Sequence, residues 1–259
     1  MPFITWTPRA VASNALIRQL RLWRAVEAQH IASTRRLTDS LAEQIMLEDV
    51  LERSKPALPT GTAKLHYLLA TPFRYPSPLG SRFRASIDPS VWYGAKEVRT
   101  ACAELGYWRW RFLLDSKGLE GLGPSAQTVF QTGVRGKIVD LSLPPFVKQA
   151  RYWQDPSDYS ATQAFGRVAR EADIELIRYA SVRDPLHAAC AAVLTPRAFH
   201  PKKPLVQQTW FLTISKTCVS WKLDSVLKND AYDFDMSVWR NQVEAHGPIA
   251  KSRLTSTLP

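Results

Sequence analysis

Between residues 71 and 111 the chain reads TPFRYPSPLGSRFRASIDPSVWYGAKEVRTACAELGYWRWR, and four of its residues could do chemistry together: Arg74, Arg82, Tyr93 and Glu104. Arginine presents a planar fork of donors that matches phosphate oxygens. Tyrosine offers a flat apolar face with a hydroxyl at one end. A lone carboxylate can stabilise positive charge that develops at a reacting carbon. Pro76, Pro78 and Gly80 keep the path between the two arginines stiff and tight. Tyr93 follows Arg82 by eleven residues, and Glu104 follows Tyr93 by eleven. On a helix Glu104 shares a border with Ala101 and Trp108, so its carboxylate is partly desolvated yet able to point outward.

This set suits a ligand that carries a pyrophosphate, a flat heterocycle and a cationic transition state. NAD is such a ligand, because breaking its nicotinamide–ribose bond builds an oxocarbenium-like centre, as glycoside hydrolysis does. On spacing alone a plainer reading carries more weight: two surface arginines, a core tyrosine and a glutamate in a helix salt bridge.

The elements that must position these residues are mixed. Leu16, Leu20 and Trp23 recur at helical spacing, and the stripe continues through Val26 and His30, which predicts helix from residue 14. A second helical run carries Leu41, Ile45, Leu47 and Leu51, with Thr38 or Asp39 as its cap, and ends at the breaker KPALPTGT, residues 55–62. Residues 1–60 are therefore expected to form a helical appendage, and 61–259 the main domain. Within the main domain KLHYLLAT reads as strand and residues 96–112 as helix. GKIVDLSL (136–143), IELIRYASV and LHAACAAVLT read as strands, and residues 160–173 as an amphipathic helix that Ser160 or Asp158 caps. Residues 208–224 alternate as two strands with a turn near Ser215–Thr217. No regular strand–helix–strand rhythm appears, so the expected class is α+β with a mostly antiparallel or split sheet.

Composition narrows the partners. A net charge of +11 suits nucleic acid, an anionic membrane surface, phosphorylated ligands or an acidic protein. Cys102, Cys190 and Cys218 form neither a close pair nor a zinc spacing, and read as small buried thiols in a reducing compartment. No run of roughly 18 apolar residues would span a membrane, and Arg18, Arg21 and Arg24 interrupt the N-terminal apolar residues, so the expected location is cytoplasmic. The glycine-rich nucleotide fingerprints, H-E-x-x-H and G-x-S-x-G are all missing.

Five elements in order resemble those of the RES-domain family: Phe73-Arg74-Tyr75, Gly80-Ser81-Arg82-Phe83, the Tyr93/Glu104 pair, the helix start DYSATQAFG with Ser160 and Gln163, and the late strand IRYASVRDP with Ser181. The resemblance spans roughly residues 64–225 and extends to a longer subgroup with an N-terminal helical segment. It implies an ADP-ribosyltransferase-like split-sheet fold and a bacterial toxin that consumes NAD as substrate, without a metal. It also implies an antitoxin partner with a DNA-binding domain. Carried onto this sequence, it makes Glu104, Arg82 and Tyr93 catalytic and places Arg74, Tyr75, Ser160 and Ser181 around the NAD, with Ser160 favoured over Ser181 as the working serine. Water, inorganic phosphate or a protein side chain could accept the ADP-ribosyl group. Two rivals stand beside this reading. One is a nucleic-acid-binding module using the basic, aromatic run YWRWR (107–111). The other is a catalytically silent relative that acts only through its partner.

Overall fold

The computed structural model describes residues 5–28, 38–75 and 77–244; His30 and Pro76 lie outside them. The chain is α+β. Its spine is a twenty-residue strand, β3 (Gly121–Asp140), far longer than the GKIVDLSL segment that the sequence marks out. One edge of β3 pairs antiparallel with β1 (Leu16–Glu27) in continuous register, from Leu16 opposite Ile138 to Glu27 opposite Gln127. The other edge splits. Its first half pairs with β6 (Val206–Ser215), and its last residues pair in parallel with β4 (Leu176–Ala180).

Beyond β4 lie β5 (Ala189–Val193) and β2 (Trp92–Ala95), both antiparallel to their neighbours. β2 meets β1 again at Trp23 opposite Ala95, so five strands close on themselves. On the β6 branch, β7 (Cys218–Leu223) and β8 (Ala231–Asp235) extend the sheet to its far edge. The split sheet expected from the sequence is thus present.

The helical reading of residues 14–27 is corrected. Leu20, Leu22 and Val26 alternate as well as Leu16, Leu20 and Trp23 recur, and the alternating set packs into the core around Trp92, Phe130 and Val134. Pairing with β3 decides between two periodicities that the segment satisfies almost equally. The N-terminal segment therefore contributes a strand to the sheet instead of standing as a helical appendage.

The expected helix after it does form, as α2 (Leu41–Ser54), after the short α1 (Pro8–Ser13). Its cap is Ser40, whose Oγ accepts from the Glu43 amide while Glu43 accepts from the Asp39 amide, a reciprocal box in place of a Thr38 or Asp39 cap. KLHYLLAT is also corrected: Tyr67–Arg74 is helix α3, capped by the His66 side chain, with Leu68, Leu69 and Phe73 buried at helical spacing.

Helix α4 (Val98–Asp115) carries Glu104 and packs between β1 and β6. Tyr107, Trp110 and Leu113 bury its inner face against Trp221 and Val219. Aromatic pairs of this kind add about 0.5–1.5 kcal/mol each beyond their buried area. The short helix α5 (Ala150–Trp153) leads to α6 (Ser160–Glu171), as the amphipathic pattern requires. The last described element is α7 (Ser237–Glu244). Among the described residues no helix is long and apolar enough to cross a membrane.

Candidate active site

Glu104 sits half-exposed on α4, facing the turn that follows β4. The hydroxyl of Ser181, fully buried at the end of that turn's strand, donates to Glu104 Oε1 at 2.6 Å. The same Ser181 Oγ accepts from the amides of Arg183 (3.1 Å) and Asp184 (3.0 Å). Its position is therefore fixed from three sides. Asp184 in turn is buried against the start of α4, where it pairs with Arg99 and accepts from Thr100 Oγ1 at 2.8 Å. One turn of helix before Glu104 thus grips the loop that supplies the serine.

The floor beneath this pair is the cross-strand couple Tyr179 and Cys190. Burial pushes the Tyr179 hydroxyl well above its ordinary pKa; Cys190, Glu104 and Tyr93 add to the rise and Arg82 opposes it. Four of the groups at issue therefore act on one hydroxyl. The Cys190 thiol is likewise pushed well up, by burial and then by Glu104, so it stays protonated and donates weakly to Glu104 Oε1 at 3.9 Å. All three cysteines are free, and Cys102 and Cys190 are buried.

Tyr93 stands on β2. Its hydroxyl shares a hydrogen bond with Ser81 Oγ at 2.8 Å and accepts from the Phe83 amide at 3.0 Å. Burial raises its pKa, with those two bonds and Arg82 working against the rise, so the phenol stays neutral. From the other direction Arg24 of β1 donates to the Tyr93 carbonyl at 2.8 Å. The Arg24 guanidinium lies 5.3 Å from the Trp92 ring, and burial lowers its pKa to about 10.

Arg82 is buried, and its Nη1 donates to the carbonyls of Trp153 and Asp155, each at 3.0 Å. Both bonds use Nη1, so the hydrogens on Nη2 and Nε do not go to those carbonyls. The guanidinium lies 4.6 Å from the ring of Tyr159. Tyr159 then accepts from Arg183 Nη2 at 3.0 Å, and Arg183 itself lies 3.7 Å from the ring of Tyr107. Two cations and two aromatic rings therefore alternate along one wall. Gly166 lets α6 approach this wall: a Cβ there would come within 2.5 Å of the Phe83 carbonyl oxygen. Gln163 of α6 donates to the Ser81 carbonyl at 3.1 Å.

The structure joins Glu104 directly to Ser181 and sets Glu104, Tyr93 and Arg82 around Tyr179. Arg74 has partners of its own: its Nε donates to the Pro56 carbonyl at 2.7 Å, and its guanidinium flanks Tyr75 at 5.7 Å. Ser160 is exposed at the start of α6, where its amide donates to Asp158. Of the two serines it is Ser181, not Ser160, that touches Glu104.

Sequence reasoning missed Tyr179, Tyr159 and Arg183. Tyr179 was recoverable, because residues 177, 179 and 181 fall on one face of a strand. Tyr107, Trp110 and Arg111 are buried, so most of YWRWR belongs to the interior and Trp108 alone of its aromatics is exposed. Among the described residues no group of three or more His, Cys, Asp or Glu side chains could hold a metal ion.

No curated protein matches the chain. Among solved structures it is similar to the toxin–antitoxin complex MbcT–MbcA of M. tuberculosis, with 11% identity and a TM-score of 0.45 over 91% of this chain and 95% of that chain. Residues 58–215, more than half of the sequence and the stretch that contains Arg82, Tyr93, Glu104 and Ser181, match the RES domain, and the chain belongs to the RES-domain family.

Proposed function

We propose that this protein is a toxin-type enzyme that cleaves the nicotinamide–ribose bond of NAD. The observation that carries the reading is the 2.6 Å bond from Ser181 Oγ to Glu104 Oε1, at a half-exposed carboxylate that shares Tyr179 as a neighbour with Arg82 and Tyr93. The serine and the neighbouring thiol both engage Oε1, which sets the plane of the carboxylate and leaves Oε2 to face a developing cation.

A single carboxylate is enough for this chemistry. Glycoside hydrolysis needs a second one, to protonate the departing oxygen. Nicotinamide instead leaves from a pyridinium nitrogen: it takes the glycosidic electron pair, becomes neutral and requires no proton. Glu104 stabilises the ribosyl cation, and when water is the acceptor it takes the proton released as the new C–O bond forms. Arg82 supplies positive charge for the pyrophosphate. Tyr93, its hydroxyl already engaged, offers its ring to the nicotinamide. In this reading Arg74, Tyr75 and Ser160 make an outer rim that meets the more distant parts of the substrate.

The partner in this reading is a protein antitoxin with a DNA-binding domain. The net charge of +11 favours an acidic surface on it, through faster encounter more than through affinity. The free thiols accord with action in the cytoplasm. The test is nicotinamide release from NAD by the purified protein, with and without inorganic phosphate, beside Glu104→Gln. Release that needs Glu104 supports the reading, and stimulation by phosphate identifies phosphorolysis over hydrolysis. Release that survives Glu104→Gln undamaged refutes the role of the carboxylate.

A further inference from the structure

Helix α7 lies outside the stretch that matches the RES domain, yet one of its side chains ends at the site. Trp239 is completely buried, and its Nε1 donates to the Arg183 carbonyl at 2.7 Å. This acceptor belongs to the loop in which Ser181 Oγ receives the amides of Arg183 and Asp184. The indole also stands edge-on to Tyr107 at 5.5 Å, the ring on which the Arg183 guanidinium lies. Trp239 therefore holds Arg183 twice: its backbone through a hydrogen bond, and its side chain through a shared aromatic neighbour.

We infer that Trp239 is a positioning residue for the Ser181–Glu104 pair, so that the C-terminal helix completes the active site. The inference rests on the NAD-cleaving reading for its kinetic expression. The physical reason is directional. A buried carbonyl has few ways to be satisfied, and the indole N–H fixes where this one points. The Asp184 amide shares the peptide plane of this carbonyl, and it and the Arg183 amide before it then point at Ser181 Oγ, which leaves its hydroxyl hydrogen for Glu104. Without the indole N–H the loop can rotate, and the serine hydroxyl no longer meets Oε1 in one geometry.

A built-in control exists. Trp110 belongs to the same aromatic cluster, is equally buried, and its Nε1 donates at 3.4 Å to the carbonyl of Lys216, in the turn between β6 and β7. Trp239→Phe and Trp110→Phe remove similar volume and one indole N–H each, but only the first bond ends on the Ser181 loop.

The experiment compares nicotinamide release by the two variants and the unaltered chain, together with amide hydrogen exchange at residues 181–184. Trp239→Phe is expected to lower kcat by about tenfold or more with KM within about twofold, as loss of an interaction that matters in the transition state does. It is also expected to speed exchange at the Arg183 and Asp184 amides, while Trp110→Phe does neither. Equal kinetics and equal exchange in the two variants would overturn the inference, because the cluster would then act only as core. If Trp239→Phe does not fold, 3-benzothienylalanine at position 239 keeps the indole shape with sulfur in place of N–H, and is judged by the same readouts. If the unaltered chain releases no nicotinamide, the NAD reading fails by itself. The exchange difference between the variants then decides the positioning role alone.

Discussion

The inner wall of the candidate site and the outer rim proposed for it use the same residue types in opposite ways. On the inner wall Arg82 is buried, held by two backbone carbonyls and laid against Tyr159, and Ser181 is enclosed between two amides and Glu104. On the rim Arg74 reaches one carbonyl of a surface segment, and the Ser160 side chain faces solvent. Chemistry that depends on orientation belongs with the first set. A side chain that must order itself on each encounter can help binding, but it cannot supply a fixed field.

The contrast is sharpest for Glu104. Glu104→Gln keeps the shape and the Ser181 bond but removes the charge, and it is expected to lower nicotinamide release by on the order of a thousandfold. Thermal melting should be little changed, so a collapse in the melting temperature would show that Glu104 is structural instead. Ser181→Ala comes next. It removes the donor to Glu104 and leaves two buried amides without their acceptor, at about 1–3 kcal/mol of stability for each. We expect kcat to fall by roughly ten- to a hundredfold with a clear loss of denaturation midpoint. Full activity in this variant would move the working serine back to Ser160.

Arg82→Ala is expected to raise KM for NAD by about tenfold while destabilising the fold by about 1–3 kcal/mol, because the Trp153 and Asp155 carbonyls lose their donor. If calorimetry finds an unchanged affinity for NAD, Arg82 braces the wall and does not meet the substrate. The rim variants should be mild. Arg74→Ala should raise KM by only a few fold, and Ser160→Ala should leave stability within about 0.5 kcal/mol. A large kcat effect from either would dissolve the distinction between wall and rim.

The smallest effect concerns acid. Burial alone would raise the Asp155 carboxyl, but the Asp158 and Ser157 amides, the Ser157 hydroxyl and nearby Arg82 outweigh it, and its pKa lies below the ordinary value. A depressed carboxylate stabilises the fold above its unfolded pKa of about 3.9, and the contribution is lost as pH falls through the folded value. Asp155→Asn should therefore lower stability modestly near neutrality, where the contribution is fully present, leave it unchanged at the lowest pH, and so flatten the acid limb below about pH 4. An unaltered acid limb would count against a role for this carboxylate in holding the loop that anchors Arg82.

Much of this arrangement was legible in the sequence. Helix α4 announces itself through its apolar spacing, and β6 and β7 through their alternation and the turn between them. Arg82, Tyr93 and Glu104 stand out by type and spacing, and Ser181 by the resemblance to the RES family. What could not be read depends on partners remote in the chain. Residues 16–27 satisfy two periodicities, and only the register with β3 selects one. KLHYLLAT contains a short apolar run that suits strand or helix, and burial of Leu69 and Phe73 beside Phe199 and Trp92 selects helix. The choice between Ser160 and Ser181 depends on which element lies opposite α4, and local sequence does not encode that.

The pairing of β1 with β3 also sets a clock. Leu16 finds its partner at Ile138, and Glu27 finds its partner at Gln127. The strand made first must wait for the far end of its partner to emerge. At about 5–20 residues per second, the wait amounts to roughly 5 to 25 seconds. Throughout that interval Arg24 has no docked β2 to hold, and the ring of five strands is open. The Ser181–Glu104 contact can therefore form only after β4 has emerged, well after β1 and β2 have left the ribosome.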